Sequence, residues 1–504
     1  MPQPMPESDR LPHALYRAVQ VRALDRAAIE GHGIPGLTLM ERAGAAAFDL
    51  LRRRWPSARR ICVICGIGNN GGDGYVLARL ALQDGLDASV LQLGNPERLS
   101  GDALSAAQAF ADAGGVACPL TRIPVTADVI VDGVFGTGLE RPVEGAWRQA
   151  LEQVNRHSAP KLALDIPSGL HADTGQVLGI AVAAQATISF IGLKQGMFTG
   201  QGPAYCGEVS FTALSVPAVI YRHEVVSARR VDWTQQQTFL ERRSRTAHKG
   251  DFGHILVVGG DSGFSGAPRM AAQAAARSGA GLVTVATHHD HAPLLSAVCP
   301  EIMSRGVSMG SELAPLLNRA NVVAIGPGLG RGRWSRSLLA RVLQSRLPLV
   351  VDADALNLLA EEPLRRDGWV LTPHPGEAAR LLGCTTADVQ ADRFHAAASL
   401  QQRFGGVIVL KGAGTLIADG RARPVAVCTD GNPGMATGGM GDVLAGIIGG
   451  LIAQGMPPAD AAEMGVCLHG AAADRAARAG ERGMLATDLM PEIRYLLNPE
   501  LTEC

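Results

Sequence analysis

From Arg60 onward the chain repeats one pattern: a short apolar run, a glycine-rich turn, then a stretch with helical periodicity. Such runs have no polar face, so they must be covered on both sides. The pattern therefore points to a mainly parallel sheet flanked by helices. In the first half the expected strands are 61–65, 90–93, 129–131, 162–164 and 187–190. Two helices precede them, one with Val21, Leu24 and Ala28 on a single face, the other with Ala43, Ala47 and Leu50. The alternation fades after Ala213, and 215–248 is richer in charged and polar residues. A second series begins at 255–258 and continues at 282–285, 322–325, 349–351, 370–371 and 407–410. A chain of 504 residues exceeds one ordinary domain. No repeat relates the halves, so two different α/β domains are expected, 1–220 and 241–504, with a connector at 221–240 and a short disordered lead at the N-terminus.

Composition narrows the partners. With 46 basic and 47 acidic residues the net charge is −1, which attracts neither nucleic acid nor an anionic membrane. Aromatics at 4% offer little for stacking on single strands. Nine cysteines are scattered. The only C-x-x-C pair, Cys62 and Cys65, falls on an expected strand, where residues three apart face opposite ways, so the two read as core thiols rather than zinc ligands. The N-terminus has no basic segment followed by an apolar one, and no apolar run spans a bilayer. A reducing, cytoplasmic setting is expected.

Chemistry concentrates at strand ends. The first strand runs into Gly66-Ile67-Gly68-Asn69-Asn70-Gly71-Gly72-Asp73-Gly74, with a helix expected from about Tyr75. Glycines let backbone approach a phosphate, and free N–H groups at a helix start face it. The usual dinucleotide fingerprint is not met here. Two further strand ends lead into Asp132-Gly133-Val134-Phe135-Gly136-Thr137-Gly138-Leu139-Glu140-Arg141-Pro142 and Asp165-Ile166-Pro167-Ser168-Gly169. Ligands of open α/β sheets sit at the carboxyl ends of strands, so these three loops are expected to line one crevice.

In the second half, Gly438-Gly439-Met440-Gly441-Asp442 opens an apolar helix. N–H groups from Gly439 to Asp442 suit an anion, and the Asp442 carboxylate can take a proton from a hydroxyl attacking phosphorus. After another strand, Lys411-Gly412-Ala413-Gly414-Thr415 suits the phosphates of an adenine nucleotide without being a Walker A loop. Thr372-Pro373-His374-Pro375-Gly376-Glu377 opens a further helix, with Glu377 expected near a Mg²⁺-bound phosphate.

These residues resemble the NAD(P)H-hydrate repair enzymes, which act on nicotinamide cofactors damaged by addition of water across a ring double bond. Leu39-Met40-Glu41-Arg42-Ala43-Gly44, residues 69–74, 132–142 and 165–169 resemble the NAD(P)HX epimerase domain, a Rossmann-like doubly wound fold. The resemblance implies that Asn69, Asn70, Gly71, Gly72, Asp73 and 136–142 hold the substrate. It also implies that Asp165 is the acid/base residue, and that Asn70, Asp132 and Ser168 offer oxygens to K⁺, a chemistry hard ligands suit.

The second half resembles the ribokinase-like, ADP-dependent NAD(P)HX dehydratase. Further matches lie at 263–268, 279–283, 326–330 and 352–357. The resemblance implies that Ala267, Gly328, His374 and Asp442 line the hydrated nicotinamide and that Asp442 is the base. Lys411, Gly412, Ala413, Gly414, Thr415 and Gly441 would bind the adenine nucleotide, with Mg²⁺. Family members often carry serine where this chain has Met440, a position expected to contribute only its N–H. The implied substrates are NADHX and NADPHX, with ADP as phosphate donor, in a homo-oligomer of tetramer size or larger. The alternative is a small-molecule kinase of the vitamin-precursor type with a non-catalytic N-terminal binding domain.

Overall fold

The computed structural model describes residues 11–421 and 423–498, which leaves the N-terminal lead outside the described residues. The chain divides into two compact units, the first ending at Arg229 and the second beginning at Arg230. Residues 221–240, expected as a connector, include a strand, Ala228–Val231, and a helical turn, Trp233–Gln236. The Asp232 carboxylate caps that turn by accepting from the Gln235 N–H at 2.9 Å.

In the first unit a short strand, Ala14–Tyr16, precedes helices α1 (Ala18–Arg26) and α2 (Gly36–Arg54). Strand β1 (Arg60–Cys65) follows, then α3 (Asn69–Gln83), β2 (Asp87–Gln92), α4 (Gly101–Asp112), β3 (Ala117–Pro119), β4 (Val129–Gly133), α5 (Gly145–Arg156), β5 (Lys161–Leu164), β6 (Ala186–Phe190) and β7 (Glu208–Thr212). They form one sheet in the order β3-β2-β1-β4-β5-β6-β7, parallel throughout. The period-two rule sorts its core. Ile61, Val63 and Cys65 pack against the helices α1–α4, while Cys62 and Ile64 pack on the other face with Ala150, Leu151 and Val154 of α5. The two thiols of the C-x-x-C pair thus point apart, both buried.

One expectation needs correction. The helix after β1 begins at Asn69, not near Tyr75. The glycines lie inside it because close packing demands them. A Cβ on Gly71 would stand 2.2 Å from the Gly66 carbonyl oxygen, and one on Gly72 2.5 Å from the Met40 sulfur. Part of the glycine density therefore serves helix docking rather than an open loop.

The second unit carries β8 (His254–Val258), α6 (Gly266–Arg277), β9 (Leu282–Thr287), β10 (Met303–Gly306), β11 (Val322–Ile325), β12 (Leu349–Val351), β13 (Trp369–Leu371), α7 (Pro375–Leu382), α8 (Arg393–Phe404), β14 (Val407–Leu410), β15 (Thr415–Ala418), β16 (Val425–Cys428), α9 (Met440–Ala453) and α10 (Pro458–Ala476). Its strands run β10-β9-β8-β11-β12-β13-β14-β15-β16. Pairing is parallel from β10 to β14 and antiparallel at β14–β15 and β15–β16. Helix α9 has buried side chains nearly all round, as expected for a core helix. No helix of the described residues is long and apolar enough to cross a membrane.

Candidate active sites

In the first unit a cavity of about 660 Å³ opens at the carboxyl ends of β1, β4 and β5. It is lined by Asn69, Asn70 and Asp73 from the start of α3, by Gly136, Thr137, Gly138, Leu139, Glu140 and Arg141 after β4, and by Asp165 after β5. Gly71, Gly72 and Pro142 are not among the lining residues.

Asp165 has φ of 66°, left-handed backbone that costs a non-glycine residue about 1–2 kcal/mol. Its N–H donates to the Ile188 carbonyl at 2.8 Å. Its carboxylate pairs with the ammonium of Lys194, a fully buried lysine that also donates to Ser189 Oγ at 3.0 Å and to the Phe190 carbonyl at 3.3 Å. Asp25, from α1, lines the same cavity. Burial and then the charge of Asp165 push its carboxyl up to about 6, against the pull of Lys194. Burial, Asp165 and Asp25 hold the Asp73 carboxyl well above the ordinary carboxylate range. One ammonium thus serves a cluster of three carboxyls, and protons are retained there.

Sequence reading missed both Asp25 and Lys194. The available signals were an acid beside the Val21–Leu24–Ala28 stripe and a lysine in the apolar run after β6.

Beside this cluster, Asp132 is fully buried and accepts from Ser168 Oγ at 2.6 Å, Ser168 N–H at 2.8 Å and Val134 N–H at 3.2 Å. Burial nevertheless lifts its carboxyl to about 6. The Asn70 amide is buried with neither its oxygen nor its nitrogen hydrogen-bonded. An orphaned amide oxygen, a buried carboxylate and a serine hydroxyl are hard oxygen donors, and that set fits an alkali cation.

In the second unit the ends of three neighbouring strands are tied by side chains. Asp352, after β12, is 1% exposed. Its Oδ1 accepts from Thr372 Oγ1, after β13, at 2.8 Å and from Lys411 Nζ, after β14, at 2.8 Å. Lys411 stands 4.0 Å from Glu377, and the two acids keep it charged despite burial. The start of α9 closes on this group. A Cβ on Gly441 would lie 3.2 Å from Lys411 Nζ and 3.5 Å from Asp352 Oδ2. Gly439 turns into the helix with φ of 92°, and Met440 supplies its first, buried residue.

Asp442 is pushed up to about 7 by burial and by Asp352, with Lys411 opposing. A base must be ionised, so if Asp442 is the base that the sequence resemblance implies, the rate of its step should rise as pH climbs through about 7. A rate–pH profile on the phosphoryl-transfer reaction checks this, and a flat profile from about pH 5 to 9 would remove Asp442 as the titrating base.

His374 caps α7, its Nδ1 accepting from Gly376 N–H at 3.0 Å. Burial and the neighbouring cations Lys411 and Arg380 push its pKa down, favouring neutral imidazole. Ala267 and Gly328 lie together, a Cβ on Gly328 being 3.3 Å from Ala267 Cβ. Thr415 opens β15 and donates to the Gly412 carbonyl at 3.0 Å. The whole Lys411–Gly412 turn rests on Arg393, a buried arginine that sequence reading missed, which donates to the Leu410 and Lys411 carbonyls at 3.1 and 3.2 Å. Asp352 and Glu377 face the lysine rather than converging with Asp442 as a ready metal-ligand trio; among the described residues the one such group is Cys428, Asp430 and Cys467.

A pair of parallel-sheet units, each with a part-buried acid–base cluster at its strand ends, defines a two-site α/β enzyme. Residues 255–494 match the family model described as NAD(P)H-hydrate dehydratase, and residues 36–196 that of the YjeF-related protein N-terminus. The bifunctional NAD(P)H-hydrate repair enzyme of Coxiella burnetii is 50% identical over 96% of this chain and 99% of its own. That of Escherichia coli is 46% identical over 98% of this chain and 96% of its own. A ribokinase-like superfamily protein of Enterococcus faecalis, 31% identical, superposes with a TM-score of 0.50 over 55% of this chain and 97% of its own. The chain belongs to the family of bifunctional NAD(P)H-hydrate repair enzymes. Relatives of this kind span both halves, which a kinase fused to an inert binding domain leaves unaccounted for.

Proposed function

We propose that residues 1–220 interconvert the R and S forms of NADHX and NADPHX and that residues 241–504 return the S form to NAD(P)H at the expense of ADP. The observation that carries the reading is the Asp352–Lys411–Gly441–Asp442 cluster at the start of α9, in a chain that relatives named bifunctional NAD(P)H-hydrate repair enzymes match along nearly their full length. In the second site Asp442 takes the proton of the ring hydroxyl as its oxygen attacks the terminal phosphorus of ADP, and AMP departs. Phosphate then leaves the ring, the neighbouring carbon gives up a proton, and the double bond returns. Phosphorylation turns hydroxide, a poor leaving group, into a good one.

Lys411, Gly412, Ala413, Gly414, Thr415 and Gly441 hold the nucleotide phosphates, while Ala267, Gly328 and His374 face the hydrated ring. Glu377 would face Mg²⁺ bound to those phosphates, and the ion would neutralise charge there. It suits a site that provides few protein ligands. In the first site Asp165 exchanges protons with the substrate held by 69–73 and 136–142. Asn70, Asp132 and Ser168 would hold K⁺, which would supply a fixed positive charge near the dinucleotide. We also assign the protein to the cytoplasm, which suits eight unpaired cysteines among the described residues, and to a homo-oligomer of tetramer size or larger.

The test is recovery of the near-ultraviolet absorbance of reduced nicotinamide from mixed R/S NADHX with ADP and Mg²⁺. Full recovery is expected. No recovery with either ADP or ATP would sink the reading.

A further inference from the structure

Asp25 is a carboxyl with no structural task. It lies on α1, one residue after buried Leu24 and four after buried Val21, so it is carried on the inward side of the helix. It lines the cavity together with Asp73 and Asp165. Part-buried carboxyls in folded proteins are ordinarily capped or paired. The caps and ion pairs of the described residues include none at Asp25, whose electrostatic neighbours are Asp165 and Lys194. The arrangement is asymmetric: Lys194 binds the Asp165 carboxylate directly, while Asp25 has no cation of its own.

The chemistry of the substrate calls for such a pair. The ring double bonds of a dihydronicotinamide are enamines, so added water places its hydroxyl on a carbon bonded to the ring nitrogen. Inverting that carbon by ring opening needs a base at the hydroxyl and an acid at the nitrogen.

We propose that Asp25 is the second acid–base residue of the epimerase site, giving a proton to the ring nitrogen while Asp165 takes one from the hydroxyl; this rests on the epimerase reading above. The O–H bond breaks toward Asp165, the carbon–oxygen double bond forms, and the carbon–nitrogen bond breaks with its electron pair on nitrogen. Nitrogen then takes the proton of Asp25. The resulting aldehyde turns about its neighbouring single bond and recloses on its other face, returning both protons by the reverse path. No oxidant or reductant is consumed.

The test uses the full chain and purified R-hydrate, with R and S separated chromatographically over about pH 5 to 9. Asp25→Asn should lower kcat about 10²–10⁴-fold with KM changed by no more than about threefold, and Asp25→Glu should recover at least about a tenth of the wild-type kcat. Because the acid must be protonated, wild-type kcat/KM should fall as pH rises through its titration, and Asp25→Asn should lose that limb. The groups facing Asp25 are Asp73, Asp165, Lys194 and Tyr221, so Asp73→Asn is run alongside.

The proposal is overturned if Asp25→Asn keeps about a third of kcat or more. It is overturned equally if Asn and Glu lose the same activity together with a lowered melting temperature, or if the limb disappears in Asp73→Asn and persists in Asp25→Asn. Absence of any R-to-S interconversion by the unsubstituted chain would instead remove the epimerase reading itself.

Discussion

Asp442→Ala brings absorbance recovery from the S-hydrate, ADP and Mg²⁺ close to background, with kcat down by about 10³–10⁴-fold or more, equivalent to ~4–5.5 kcal/mol of barrier. Two features set the size of this loss. Asp442 sits in the first turn of α9, next to Gly441, whose backbone abuts the Lys411–Asp352 pair. The other acids near that pair are committed: Asp352 accepts from Lys411 and Thr372, and Glu377 accepts the His374 N–H at 2.8 Å. Neither stands ready to replace the base. The Lys411 turn is untouched by the substitution, so KM for ADP should move little. Steady-state kinetics on pure S-hydrate separates the two parameters, and retention of more than about a tenth of kcat would place the base elsewhere.

Asp165→Ala confines recovery from a mixed R/S preparation to the S-fraction plus slow spontaneous epimerisation. Enzymic interconversion should fall about 10²–10⁴-fold. The reaction on pure S-hydrate should run at the wild-type rate, because its residues belong to the other unit. The same substitution leaves the Lys194 ammonium buried without its carboxylate. Breaking a buried pair from one side costs about 3–5 kcal/mol, so the first unit should also melt earlier. Asp165→Asn, which keeps a hydrogen-bond acceptor beside Lys194, separates lost chemistry from lost stability. A wild-type rate from R-hydrate in both variants would show that Asp165 does not move the proton.

The strands were legible because burial on both faces leaves an unbroken apolar run, as at β11, β12 and β14, whose bounds coincide with the runs in the sequence. Strands β15 and β16 were not anticipated. They are short, follow a glycine turn, and pair antiparallel, where no helix intervenes to punctuate the pattern. The early start of α3 was hidden for a physical reason too. Glycine is a poor helix former, and nothing local announces that Gly71 and Gly72 are required by the Gly66 carbonyl and the Met40 sulfur, both distant in pattern though near in space.

Among site residues, those at strand ends stood out: Asp165, Lys411 and the acid of the first turn of α9. Asp25, Lys194 and Arg393 did not. Each is a charge whose neighbours in the site come from elsewhere in the chain, and proximity of that kind is a property of the fold rather than of spacing.

The knot at Asp352 has a mechanical side. One carboxylate fastens the ends of three adjacent strands by gripping the threonine of one neighbour and the lysine of the next. Fraying of any one of these strand ends therefore tugs on the other two. Lys411 cannot come loose without slackening the sheet that presents it. Rigidity around Lys411 and cooperativity of the fold are, at this point, borne by the same carboxylate oxygen.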